Sequence, residues 1–214
     1  MKNIFTLFVF YIIFHSPLVT AKYSYKWTEK HPVITEYVEK HKEKIIKNTI
    51  YKLKISKEFL PDIERIFQEE GVPKEIALLA SVESSFRTDA VSKSDAVGMW
   101  QFKKDTAIEW GLVVEGDIDE RLDWKKSSRA AAKYIKWLAE ENFDGNYETA
   151  ILSYNAGIGY IKNIMELMDI NNPWVLFEYK DILNKENREF LPKFIIYMQY
   201  FYHLKEKEEN KKRG

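Results

Sequence analysis

The chain has 214 residues, with 33 Lys+Arg against 33 Asp+Glu, a formal charge of zero and no cysteine. That length suits one domain able to bury a sizeable core. The balanced charge leaves no electrostatic footprint for nucleic acid, and the missing thiol excludes disulfides, thiolate nucleophiles and Cys-zinc sites.

Residues 1–21 read as a signal peptide. Lys2 supplies a positive n-region, Ile4 to Phe14 is an apolar run, and Val19-Thr20-Ala21 ends on the small residue a signal peptidase prefers. The run is shorter than the roughly 20 apolar residues that span a bilayer, and an uncleaved anchor is the alternative. Export to the periplasm or cell envelope follows, with no integral membrane segment after cleavage. Residues 22–55 are charge-dense with interspersed Tyr, Val, Ile and Leu, and read as a helical N-terminal extension bracing the back of the domain.

From Phe59 the helical period is clear. Phe59, Ile63, Ile66 and Phe67 form one stripe, and Gly71 follows where a left-handed cap is expected. Pro73 is pre-set for a new first turn. Trp124, Ala131, Ile135 and Leu138 make a second stripe behind Asp123, an N-cap. Tyr147, Ala150, Ile151 and Tyr154 make a third, Ile158, Ile161, Met165 and Met168 a fourth, and Phe190, Phe194, Tyr197 and Phe201 a fifth. No run alternates long enough to demand a strand. The fold class is mostly α, one helical domain over 56–204, with a charged tail, 205–214, expected to fray.

Glu83 ends the most informative segment, Glu75 to Glu83. On a helix it shares a face with Ile76, Leu79 and Ala80, while Leu78, Val82 and Phe86 make the opposite face apolar too. A carboxylate buried there without a partner raises its pKa and becomes able to donate a proton near neutral pH. The structural alternative is a cap or a surface ion pair.

Three motifs stand in order: Glu83-Ser84-Ser85-Phe86, then Ala90-Val91-Ser92 through Gly98-Met99-Trp100-Gln101, and Ser153-Tyr154-Asn155-Ala156-Gly157. Together they resemble the lytic transglycosylase family, goose-type-lysozyme-like enzymes that cleave peptidoglycan, and look most like the D-type membrane-bound members over residues 30 to 203. The resemblance implies a lysozyme-like domain. It implies Glu83 as catalytic acid/base, Ser84 as the Ser that follows it, Ser92 and Gln101 lining the sugar site, and Tyr154 and Asn155 in the cleft. Glu186 matches the Glu of the family's downstream motif. Each has a structural alternative: Ser84 satisfying a helix-end carbonyl, Trp100 and Tyr154 packing in the core, Asn155 closing a helix before Gly157.

The chain departs from the family pattern in places. Asp95 stands for a Gly, Arg87-Thr88 for Asp-Pro, Ser153 for an Ala, and Phe190 for a Tyr whose hydroxyl faces the catalytic Glu. Whether Tyr179 or Tyr197 supplies that hydroxyl stays open.

Ordinary glycosidases use two carboxylates. Here only Glu83 carries a strong signature, since Asp89 and Asp95 fall in a polar loop. A single acid fits the family's mechanism, in which the substrate's own C6 hydroxyl closes a 1,6-anhydro ring. No metal or organic cofactor is implied, and His15, His31, His41 and His203 have no ligand spacing. The expected partner is the peptidoglycan glycan strand, bound by a monomer. The competing readings are a lysozyme-type hydrolase using the same Glu83 and a catalytically weakened peptidoglycan-binding protein.

Overall fold

The structure is a computed structural model that describes residues 25–28 and 30–213, so residues 1–21, expected from the sequence to be a signal peptide, lie outside the described residues. Helix α1 (Pro32–Glu69) starts where Pro32 takes the first helical position and the His31 ring accepts from the Val33 amide at 3.3 Å. The described residues ahead of it are not helical, although the sequence reading begins the extension's helix at residue 22. They are pinned instead by Thr28, whose hydroxyl donates to the buried Glu148 carboxylate at 2.9 Å. From Pro32 onward α1 runs unbroken across the 55/56 boundary between extension and domain, with Pro61 on an exposed position. Gly71, at φ +78°, turns the chain out of it, and the Val72 amide donates back to the Phe67 carbonyl at 2.8 Å.

A 3₁₀ turn, Lys74–Leu78, leads directly into α2 (Leu79–Glu83), and every residue from Ile76 to Val82 is buried. After a long loop come α3 (Lys104–Glu109) and an antiparallel hairpin of β1 (Val114–Glu115) and β2 (Ile118–Asp119), with Val114 opposite Asp119. Strands of two residues carry no readable alternation, which is why the sequence reading has none. Helix α4 (Trp124–Asn142) is capped by the Asp123 carboxylate, which accepts from the Lys125 and Lys126 amides at 2.9 and 3.1 Å. Helices α5 (Tyr147–Ala156) and α6 (Ile158–Leu167), a 3₁₀ turn at Pro173–Glu178 and α7 (Lys185–Arg213) complete a mostly helical fold.

One core unites these elements, and each large side chain fully buried in it contributes about 2 kcal/mol. The Phe67 and Trp100 rings stack at 5.2 Å, and the Trp100 indole N–H donates to Ser128 Oγ at 2.8 Å. Trp100 is 0% exposed, so it is core and no sugar platform. Helices α1 and α7 run parallel, joined by Lys40–Glu189 at 2.9 Å, Asn48–Tyr197 at 3.4 Å and Lys57–Glu208 at 3.3 Å. The last of these belongs to the stretch where fraying is expected. The backbone there is helical through Arg213. Among the described residues no helix is long and apolar enough to cross a membrane.

Candidate active site

Glu83 is the last residue of α2, and the chain leaves it through an abrupt turn. Ser85 and Phe86 both adopt left-handed backbone, φ 60° and 62°, while the Phe86 amide returns to the Ala80 carbonyl at 3.2 Å. A bulky residue at positive φ is uncommon and costs of order 1–3 kcal/mol. It is held by burial of the Phe86 ring, 2% exposed. The turn leaves Glu83 partly accessible at the surface of an otherwise buried segment.

Three of the predicted site residues bind three successive carbonyls of one loop. Gln101 Nε2 donates to Gly98 O at 2.9 Å, Ser84 Oγ to Met99 O at 2.8 Å, and Tyr154 Oη to Trp100 O at 2.7 Å. The three separated motifs are thereby knitted together: Ser84 and Tyr154 satisfy carbonyls of a buried loop, and Gln101 adds a side-chain donor to the Gly98 carbonyl, which also accepts from the Gln101 amide at 3.3 Å. The structural alternative for Ser84, a helix-end carbonyl, is met only weakly, at 3.4 Å from Ala80 O. Gly98, at φ +79°, has no substitute: a Cβ there would lie 1.9 Å from Arg121 O. Ser92 Oγ accepts from the Ala96 amide at 2.9 Å and the Ser94 amide at 3.3 Å, so it shapes its own turn. Asp95 sits in that turn at φ 61°, a conformation glycine adopts freely and Asp tolerates better than most residues.

Asn155 ties α5 to the first turn of α7, its Oδ1 accepting from Asn187 Nδ2 at 2.8 Å. Glu186, next to Asn187, is exposed there. Lys193, about two turns further along α7, buries its stem and donates from Nζ to Val82 O at 3.2 Å. Sequence reasoning missed both Asn187 and Lys193. For Lys193 a signal existed, a lone charge inside the apolar run Phe190 to Tyr197; for Asn187 there was none.

These neighbours set the charge state of Glu83. Burial pushes its carboxyl up to about 8, with Lys193 pulling it down and Glu186 pushing it further up. Tyr154 is likewise raised by burial and then by the Glu83 charge. Lys193 is lowered by burial, while Glu83 acts to raise it. A partly accessible carboxyl that keeps its proton near neutral pH can serve as a general acid. Phe190 is buried at 6% exposed. Of the tyrosines considered in its place, Tyr197 directs its hydroxyl to Asn48 on α1, and Tyr179 is about half exposed. The extension does more than brace the back, since α1 flanks α7 at the level of Lys193. A cavity of about 680 Å³ lined by Asn142, Asn146, Lys162 and Asn172 shares no residue with this site.

Residues 63–175 match the family described as Transglycosylase SLT domain. The chain is 26% identical over 161 residues to membrane-bound lytic murein transglycosylase D of Escherichia coli K12, covering 74% of this chain and 35% of the relative. It is 37% identical over 116 residues to peptidoglycan transglycosylase gp16 of Escherichia phage T7, covering 51% of this chain and 9% of that one. In fold it resembles the lytic transglycosylase Slt of Pseudomonas aeruginosa, solved as an inactive mutant, with a TM-score of 0.56 and 22% identity over 67% of this chain and 24% of that one. The chain thus spans about a third of the length of the first curated relative it matches.

Proposed function

Because the chain belongs to the transglycosylase SLT domain family, we propose that it is a peptidoglycan lytic transglycosylase that cleaves the MurNAc-GlcNAc β-1,4 bond and leaves 1,6-anhydro-MurNAc ends. The observation that carries the proposal is the placement of Glu83 at the end of a buried helix, partly accessible, where desolvation pushes its carboxyl up to about 8. Glu83 gives its proton to the leaving glycosidic oxygen, and the MurNAc N-acetyl group assists at the anomeric carbon. The resulting carboxylate then takes the proton of the MurNAc C6 hydroxyl as that oxygen closes the ring. An attacking group held within the same sugar needs no activated water, an advantage of orientation. Lys193 favours the ionised form of Glu83, the form required for the second proton transfer.

In this reading Ser84, Gln101 and Tyr154 shape the cleft wall through the loop carbonyls they bind, and Ser92 shapes the adjoining turn. Asn155 and Glu186 line the α7 side. The catalytic unit extends from α1 through α7, acts as a monomer outside the cytoplasmic membrane, and needs no cofactor.

Mass analysis of products from purified sacculi tests the reaction. The expected muropeptides are one water lighter than hydrolysis products; reducing ends alone would replace the proposal with a lysozyme-type hydrolase. If Glu83→Gln releases as much muropeptide as the parent, Glu83 is not the acid. If neither protein releases any, the binding-protein reading stands, with the missing Phe190 hydroxyl as its structural argument.

A further inference from the structure

The register between α1 and α7 brings like charges together beside Glu83. Lys40 pairs with Glu189 at 2.9 Å, and about two turns further along both helices Asn48 bonds the Tyr197 hydroxyl at 3.4 Å. Midway between those contacts the same register sets Lys44 opposite Lys193. Lys52, one turn beyond Asn48 on the same face of α1, holds Nζ 4.1 Å from the centre of the Tyr197 ring. Along this stripe the side chains grade inward: Lys44 is exposed, Asn48 half-buried and Lys52 only 7% exposed.

Burial pulls Lys52 down to about 7, and the charges that add to the effect are the cations Lys193 and Lys44. The carboxylates Glu83, Glu186 and Glu189 act on Lys193, yet its ammonium donates to the Val82 carbonyl. Lys52 has a neutral ring face as its contact. Burying a cation among cations is costly, and an anion placed between them removes that cost.

We propose that Lys44, Lys52 and Lys193 form a carboxylate-binding site on the α1 side of Glu83, and that it holds the acidic arm of a muramic acid residue. The inference rests on the peptidoglycan reading above and deepens it. Each muramic acid carries a lactyl group whose carboxyl is either free or joined to a stem peptide with carboxylates of its own. Both sources present the same chemistry to the lysines. Exposed Lys44 is the entrance, the Asn48 amide offers a neutral donor, and Lys52 closes the inner end. The site discriminates muramic-acid glycans from uncharged N-acetylglucosamine polymers, and it lies on the helix that the sequence reading treats as a brace.

Binding to the full chain carrying Glu83→Gln, alone or with Lys44→Met or Lys52→Met, tests this without turnover. The probes are a peptide-bearing glycan oligosaccharide, the same glycan stripped to its lactyl carboxylates, and the stripped glycan with those carboxylates converted to amides. Each lysine change is expected to weaken carboxylate-bearing ligands about tenfold and to leave the amide form unchanged. Loss confined to the peptide-bearing glycan assigns the site to the stem peptide; loss on the stripped glycan assigns it to the lactyl group. Unchanged affinity for both, or an equal loss on the amide form, overturns the site. If the Glu83→Gln parent binds none of the three, the glycan reading fails as well, a result distinct from failure of the site alone. Lys44→Met alters an exposed side chain, so the test survives any folding defect in Lys52→Met.

Discussion

Lys193 donates its ammonium hydrogen to the carbonyl of Val82, 3.2 Å away and one residue before Glu83. The contact fixes a positive charge at the end of the short helix that presents the catalytic candidate. Lys193→Met should therefore raise the Glu83 pKa above its present value of about 8, because the cation favours the ionised carboxylate. In its proposed role of general acid Glu83 works while protonated, so the alkaline fall in kcat/KM should move to higher pH. Glu186→Gln should move it the other way, since Glu186 pushes Glu83 up. A lysine with only a structural role would lower the rate and leave the midpoint of the profile in place.

The Glu83 proton also links stability to pH. Between its ordinary value of 4.5 and about 8 the folded chain holds a proton that the unfolded chain has released. Stability therefore falls with rising pH across that window, with the full contribution present below it. Glu83→Gln should remove this slope, so urea unfolding at a series of pH values should show the variant gaining on the parent from about pH 5 to pH 8. Lys52 has the opposite sign. Lowered from 10.5 to about 7, it makes the fold more stable as pH rises between those values, and Lys52→Met should abolish that rise.

Gly98→Ala should be among the most damaging small substitutions. The new methyl would meet Arg121 O at 1.9 Å, and the backbone, at φ +79°, already disfavours a side chain. Backbone cannot yield as a flexible side chain does, so a loss of about 3 kcal/mol is expected, read as a lowered Tm. A Tm within a degree or two of the parent would mean that the close approach to Arg121 is relaxed in solution.

Ser153→Ala should stabilise. The Ser153 hydroxyl is fully buried on α5 and has no hydrogen-bond partner among the described residues. Removing it takes away a desolvated polar group and leaves the methyl-sized space filled, a gain of about 1 kcal/mol. Thermal unfolding of the two proteins side by side would show it.

Local features were the legible ones. Apolar residues on both faces of the segment before Glu83 indicated burial, and burial is what displaces its pKa. Gly71 and Asp123 announced their caps because capping depends on a residue and its immediate neighbours. The juxtapositions were not legible. Lys44 and Lys193 are far apart in sequence and come into register only through the pairing of α1 with α7, which no periodicity within either helix encodes. The Asn155–Asn187 clamp is of the same kind. The roles suggested for Ser84, Gln101 and Tyr154 pointed to sugar, and their hydrogen bonds run to the protein's own loop. Motif resemblance identifies positions, while the partner at each position depends on packing.

The unbroken course of α1 bears on how the polypeptide can be shortened. Starting a fragment at residue 56 would remove most of one continuous helix, strip α7 of the flank that carries Lys40, Lys44, Asn48 and Lys52, and lay the apolar side of Tyr197 open to water. A trimmed version should therefore be sticky and poorly soluble even with every signature residue intact, and the smallest well-behaved piece has to begin ahead of Pro32.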